Sequence, residues 1–217
     1  MTRTLLQALL FLPCIAHGAV TLAQIETFDT PTARQIGNPA FGIPSIRPNF
    51  GPNGTGDPAL LTSISAGTGP TSRLIIFNTS YWAGNYTSAG VTALKMDLRN
   101  TSSGNLFIRI ALNGPGGWFV TDGQSVNAGL GYATFLFDVQ PSTLNPAKSN
   151  GTTLGSDANA TLAGVSQVRI LHSIAENSAR GEVANATLRI DNITAVPEPR
   201  ITLLMAFLLT FFLKRKR

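Results

Sequence analysis

Apolar and polar residues alternate along several stretches of this chain. Val91 to Arg99 puts Leu94, Met96 and Leu98 on one side and Lys95, Asp97 and Arg99 on the other. Leu106 to Leu112 repeats the pattern, with Leu106, Ile108, Ile110 and Leu112 facing in and Phe107, Arg109 and Ala111 facing out. A period of two belongs to a strand buried on one face. The polar link Asn100 to Gly104 between these runs predicts a hairpin. Further strands are expected over Ile25–Asp29, Ala59–Ala66, Ser72–Phe77, Trp118–Val120, Tyr132–Val139, Val165–Ile174 and Asn185–Val196. The run Leu74-Ile75-Ile76-Phe77 is apolar on both faces and is expected to be buried on both. Residues 30–58 carry six prolines and predict a long irregular excursion. Residues 140–156 predict a polar loop, and Asp157 to Gly164 one or two helical turns with Asp157 as N-cap. Eight or nine short strands with almost no amphipathic helix predict an all-β antiparallel β-sandwich, a jelly roll, whose first and last strands lie close together.

The two ends follow other rules. Met1 to Ala23 has a charged Arg3, an apolar run from Leu5 to Leu12 and small residues after it, the plan of a secretory signal helix. Ala16-His17-Gly18 and Thr21-Leu22-Ala23 are both possible cleavage sites, and the boundary is placed after Ala23. At the other end, Val196-Pro197-Glu198-Pro199 precedes Arg200, an apolar run from Ile201 to Leu213, and Lys214-Arg215-Lys216-Arg217. The two prolines stop any regular element. The apolar run is expected to be a transmembrane helix, and the terminal cations to hold its end on the cytoplasmic side. Thirteen residues at ~1.5 Å each reach roughly 20 Å against ~30 Å of hydrocarbon, which is short for an ordinary anchor. The expected organisation is a signal peptide over 1–23, a sandwich over 24–195 and a tail over 196–217.

This tail resembles the PEP-CTERM sorting signal of Gram-negative bacteria, on Val196, Pro197, Glu198, Pro199, the apolar run and Lys214 to Arg217. The resemblance implies an exosortase as partner, cleavage near the Pro-Glu-Pro segment, and a place at the cell surface or in an exopolysaccharide matrix. The middle of the chain is similar to a domain recurrent among such proteins. The matching residues are Ser72 to Asn78, Trp82 to Tyr86, Ala89 to Val91, Met96 to Asn100 and Ile190 to Ile193. That likeness implies a jelly roll of the kind found in galactose-binding and carbohydrate-binding modules, with no assigned activity.

Charge changes the picture less than its total suggests. The net charge is +5, yet residues 24–196 hold ten cations and ten carboxylates. The basic excess belongs to the ends, so nucleic-acid binding is excluded. The single cysteine, Cys14, lies in the leader, which leaves no disulfide and no thiolate metal site in the sandwich.

Catalysis has little to build on. His172 has no evident partner, no Gly-x-Ser-x-Gly elbow occurs, and no tight carboxylate cluster is present. Calcium needs six to eight oxygen ligands. Glu26, Asp29 and Asp191 would come together if the terminal strands are neighbours, and related jelly rolls often carry a structural calcium there. Polysaccharide binding needs flat aromatic faces, for which Tyr81, Trp82, Tyr86 and Trp118 are the candidates. Eight Asn-x-Ser/Thr triplets, from Asn53 to Asn192, are read as Asn/Thr-rich composition rather than as glycosylation sites.

Overall fold

A computed structural model describes residues 19–29, 44–151 and 153–197. Most of the expected leader, the expected transmembrane helix, Glu198, Pro199 and Lys214 to Arg217 lie outside the described residues. Twelve strands are described: β1 (Ile25–Glu26), β2 (Ser45–Arg47), β3 (Ala59–Ile64), β4 (Ile75–Asn78), β5 (Ala93–Asn100), β6 (Leu106–Gly114), β7 (Gly117–Val120), β8 (Gln124–Val126), β9 (Ala133–Asp138), β10 (Asn145–Ala147), β11 (Gln167–His172) and β12 (Ala186–Val196). Two short helices join them, α1 (Tyr86–Ala89) and α2 (Ala158–Leu162). As expected, the side chain of Asp157 caps α2, accepting from the Ala160 N–H at 3.0 Å.

The strands form two antiparallel sheets of six. The first runs β2-β3-β12-β5-β9 with β1 also on β12; the second runs β10-β7-β6-β11-β4 with β8 also on β6. This is an all-β two-sheet sandwich, and its terminal strands are neighbours: Ile25 and Glu26 pair with Thr194 and Ile193. The apolar rows meet between the sheets. Leu94, Met96, Leu98, Leu188 and Ile190 come from the first, and Ile76, Ile108, Ile110, Leu112 and Ile170 from the second.

The expected hairpin of β5 and β6 is not formed. β5 pairs with β12 and β9, and β6 with β11, β7 and β8, so the two strands sit in opposite sheets. Their alternation is correct, because each turns an apolar row to the same core. A period of two fixes the buried face and leaves the neighbour open. The link between them is held by Asn100, whose buried Nδ2 donates to the carbonyls of Gly104 and Val126. The real hairpin lies just after, where Pro115 and Gly116 join β6 to β7.

β2, β8 and β10 have three residues each and fall in stretches with no alternation to read. β2 lies at a sheet edge between Pro44 and Pro48, where prolines are tolerated. β4 meets its expectation: Ile76 enters the main core, while Ile75 and Phe77 pack in a second cluster on the outer face.

Residues 19–23, placed in the leader by the sequence, are stitched into the sandwich. Val20 is 3% exposed within the core, and its N–H donates to the Ala83 carbonyl at 2.8 Å. Gly84, at φ +129°, lies so close that a Cβ there would stand 3.0 Å from the Val20 nitrogen. Ala23 and Gln24 continue the contact, exchanging backbone hydrogen bonds with Ala195.

Candidate binding surface

Each sheet has an outer face, and each is roofed by irregular chain. On the second sheet, alternation sends Ile75, Phe77, Arg109, Ala111, Trp118, Val120, Arg169 and Leu171 outward. Most of these are buried even so, because residues 173–182 form a strap across them. Ala179 at its centre is fully buried against Ile75, Phe77, Ala111 and Leu171. Gly181, at φ +69°, leaves only 2.6 Å between a Cβ and Ile75 Cγ1.

Three arginines hold the strap by its carbonyls. Arg73 Nη1 donates to Gly181 at 2.6 Å, and Arg169 Nη1 to Ala179 at 2.6 Å. Arg109, only 4% exposed, donates from Nε to Ser173 and from Nη2 to Ile174, while its Nη1 reaches Thr121 in the sheet. The sequence pattern placed Arg109 facing solvent; the strap is what buries it. Glu182 closes the strap's base. Its Oε1 accepts from the Ser173 hydroxyl and from the N–H groups of Ile174 and Ala175. Burial pushes this carboxyl up, but those hydrogen bonds outweigh it and hold the group below its ordinary value. His172 accepts the Phe107 N–H on Nδ1 at 3.0 Å, which is a structural use of the ring.

At one end of this face the strap leaves an opening. Arg169 lies over the Trp118 ring at 3.9 Å and near Phe77 at 4.8 Å. Its Nε and Nη2 both donate to Gln167 Oε1, and its Nη1 also donates to Ser149 Oγ at 2.7 Å. Burial pushes its pKa down to about 10. Beside it an open depression of ≈ 360 Å³ is lined by Gly117, Trp118, Ser149, Asn150, Thr153 and Leu154. An indole fixed by a stacked guanidinium, with hydroxyl and amide groups around it, is suited to a polyhydroxylated ligand.

The other aromatic candidates are placed differently. Trp82 is 3% exposed and Tyr86 is fully buried, its hydroxyl donating to the Trp82 carbonyl at 2.9 Å; neither offers a face to a ligand. Burial also pushes the Tyr86 hydroxyl well above its ordinary value. Their place in the sequence beside Gly84 suggested a loop, and the chain folds that loop inward as the cap of the core. Tyr81 is half-buried, edge-on to Trp82 at 5.7 Å. An internal cavity lined by Leu60, Ile76, Trp82, Met96 and Ile193 measures only ≈ 20 Å³, about one water.

The first sheet's outer face is charged. Arg189 stands opposite Arg99 across β12 and β5, and Asp191 opposite Asp97. Residues 48–58 lie over them: Phe50 covers the Arg189 guanidinium at 4.0 Å, and the Tyr132 hydroxyl donates to the Phe50 carbonyl. Asp191 is 1% exposed; Oδ1 accepts the Asn192 N–H, and Oδ2 has no partner. Burial raises its pKa to about 7 against the pull of that N–H, with Asp57, Asp97 and Asp29 adding to the rise.

The expected calcium ligands do not converge here. Glu26 is buried beside the core residue Ile193, accepting the Phe28 N–H, whereas Asp191 shares the outer face with Asp97. Asp29 is exposed and accepts from Thr27 Oγ1. Strand adjacency was right, but pairing Glu26 with Ile193 turns its side chain to the other side of the sheet from Asp191. Among the described residues, no group of three or more His, Cys, Asp and Glu side chains could hold a metal ion. Of the eight Asn-x-Ser/Thr asparagines, Asn78 and Asn100 are buried and bind backbone groups.

No protein-family model matches the chain, and no curated protein matches it. Solved structures do. An exo-beta-agarase matches with a TM-score of 0.56 and 13% identity, over 82% of this chain and 26% of the agarase. The chain thus spans about a quarter of that enzyme's length. A family 11 carbohydrate-binding module from Clostridium thermocellum, solved with a beta-1,3-1,4-mixed-linked tetrasaccharide, matches with a TM-score of 0.53 and 12% identity. That match covers 82% of this chain and 98% of the module. A solution structure of CtCBM11 gives 0.51 and 11%, over 81% and 96%. At these identities the likeness is one of fold: this chain has a jelly-roll sandwich similar to those modules.

Proposed function

We propose that this sandwich is a polysaccharide-binding module, with Trp118 as its stacking platform. The observation that carries this is the depression at Trp118, whose ring is held by Arg169 and bordered by Ser149, Asn150 and Thr153. The fold agrees with the reading, since nearly the whole of a carbohydrate-binding module superposes on the chain, against only part of the agarase. The module acts by binding rather than by turnover. Pull-down on a panel of polysaccharides tests it: wild-type protein is retained by at least one, and Trp118→Ala loses roughly tenfold or more, the weight of one stacked sugar. Retention by none of the panel, or unchanged retention of Trp118→Ala, removes the reading.

The ends give the proposal its place. The chain is exported, held briefly at the inner membrane by its tail, and passed through an exosortase to the cell surface or matrix. This rests on the Val196–Pro199 motif and Lys214 to Arg217. The mass of the mature C-terminus decides it, since an intact Lys-Arg-Lys-Arg end in the exported product rules out processing. Cleavage before Ala19 is favoured over a cut after Ala23 by Val20, which such a cut would remove from the core. N-terminal sequencing of the exported protein reports which cut is made.

A further inference from the structure

We infer that the glycan held at Trp118 carries oxyanions, carboxylate or sulfate, and that Arg169 and the cations around it recognise them. This rests on the polysaccharide-binding reading above. Residues 24–196 are neutral in total, but the fold divides their charge. Arg73, Arg109, Lys148, Arg169 and Arg180 belong to the second sheet or to the chain packed on it, against Asp122, Asp157, Glu176 and Glu182, with Asp157 at the start of α2 beside the β6–β7 turn. The first sheet and its roof carry Asp29, Asp57, Asp97, Asp138 and Asp191, besides the buried Glu26, against the four cations Arg47, Lys95, Arg99 and Arg189, so the slight cationic excess lies on the second sheet.

None of the three clamping arginines is neutralised. Among the described residues, Arg73, Arg109 and Arg169 make no ion pair with a carboxylate; they donate to backbone carbonyls and, for Arg169, to Gln167 and Ser149. Carbonyl dipoles satisfy N–H groups but leave the net charge in place. Glu182 accepts from Ser173, Ile174 and Ala175, and Asp122 from Asn145 Nδ2 at 3.0 Å, so both carboxylates keep their charge but neither is paired with one of these arginines.

Arg169 connects this charge to the depression. Four of its five N–H groups have acceptors, which leaves one on Nη2. Its bond to Ser149 ties it to the rim, and its stacking ties it to Trp118. A sugar on the indole therefore sits beside a partly desolvated, uncompensated guanidinium. Water no longer favours that cation fully, so an oxyanion in place of water is favoured more than at an exposed site.

Affinity electrophoresis of the full chain in detergent tests this, in gels containing polygalacturonate, dextran sulfate or neutral beta-1,3-1,4-glucan. The tail's cations are common to every variant, so differences between variants report on the sandwich. Polygalacturonate or dextran sulfate, whichever the site prefers, retards wild-type protein roughly tenfold more than the neutral glucan. Arg169→Gln loses that preference, and Arg169→Lys keeps most of it. Exposed Lys148 and Arg180 give a variant with little risk to folding, and Lys148→Gln with Arg180→Gln weakens acidic-glycan retention by about threefold.

Equal retention by neutral and acidic glycans overturns the inference and leaves polysaccharide binding standing. Retention by none overturns both. Retention by duplex DNA equal to that by the acidic glycan shows bare charge attraction and also overturns it.

Discussion

The two outer faces of this sandwich are each covered by irregular chain, and each holds arginines out of water. They differ in what answers the buried polar groups. Over the second sheet, the strap presents the carbonyls of Ser173, Ile174, Ala179 and Gly181 to three guanidiniums, and a small apolar cluster fills the space between. Over the first sheet, like charges face each other directly, and Arg99 Nε, Arg189 Nε and Asp191 Oδ2 are buried without a partner. Opposed like charges and unsatisfied buried groups both cost stability. A buried cation needs no carboxylate if carbonyls meet its donors, and that leaves its charge available to a ligand. A buried carboxylate among other carboxylates has no such remedy, and it moves toward its protonated form.

The largest expected effect is at Arg109. Replacing it with Ala leaves the Ser173, Ile174 and Thr121 carbonyls without their donor and opens a void under the strap. The expected loss is about 3 kcal/mol, measured by urea denaturation, with faster proteolysis within residues 173–182. A loss below about 1 kcal/mol means the strap holds without its clamp and erases the contrast between the faces. Gly181→Ala comes next. It places a Cβ at 2.6 Å from Ile75 Cγ1 in a left-handed conformation, and is expected to cost roughly 1–3 kcal/mol.

Asp191 gives an effect of opposite sign. Its folded pKa, about 7, lies above the ordinary aspartate value of 3.8, so the folded state binds the proton more tightly. Its contribution is therefore fully present below about pH 4 and lost as pH rises through 7. Asp191→Asn is expected to raise the melting temperature at pH 8 by roughly 2–4 °C, near 1 kcal/mol, and to flatten the fall between pH 4 and 7. Thermal melts across that range read it directly; an unchanged slope means Asp191 is not the group responsible. Smallest is Phe50→Ala, which removes the ring over Arg189 and is expected to cost about 0.5–1 kcal/mol for that contact.

Much of the architecture was legible in the residues. Alternation in β5 and β6 named the inward rows correctly, and Asp157 announced the start of α2. What failed was anything that depended on a distant segment. β5 and β6 looked like a hairpin because they are adjacent and matched, but their real partners lie up to about a hundred residues away on β12 or some sixty away on β11. Arg109 looked exposed because nothing near it in sequence announces the strap. Trp82 and Trp118 both sit beside glycines, yet one closes the core and the other borders a depression. The Arg169 clamp on Trp118 gave no signal, since the contact crosses β6 between strands that are not paired.

The sequence by itself determined an all-β sandwich: period-two alternation with no helical period leaves two packed sheets as the way to bury those rows. It also determined a neutral, cysteine-free domain between two ends of quite different character. The tertiary structure alone decided which strands are neighbours, which aromatic meets solvent, and how three arginines of one face come to be met by carbonyls rather than by carboxylates. The reason is that alternation is local, set by the pleat of each strand. Burial of an outer face is set by whichever loop is laid across it, and here those loops come from residues 48–58 and 173–182.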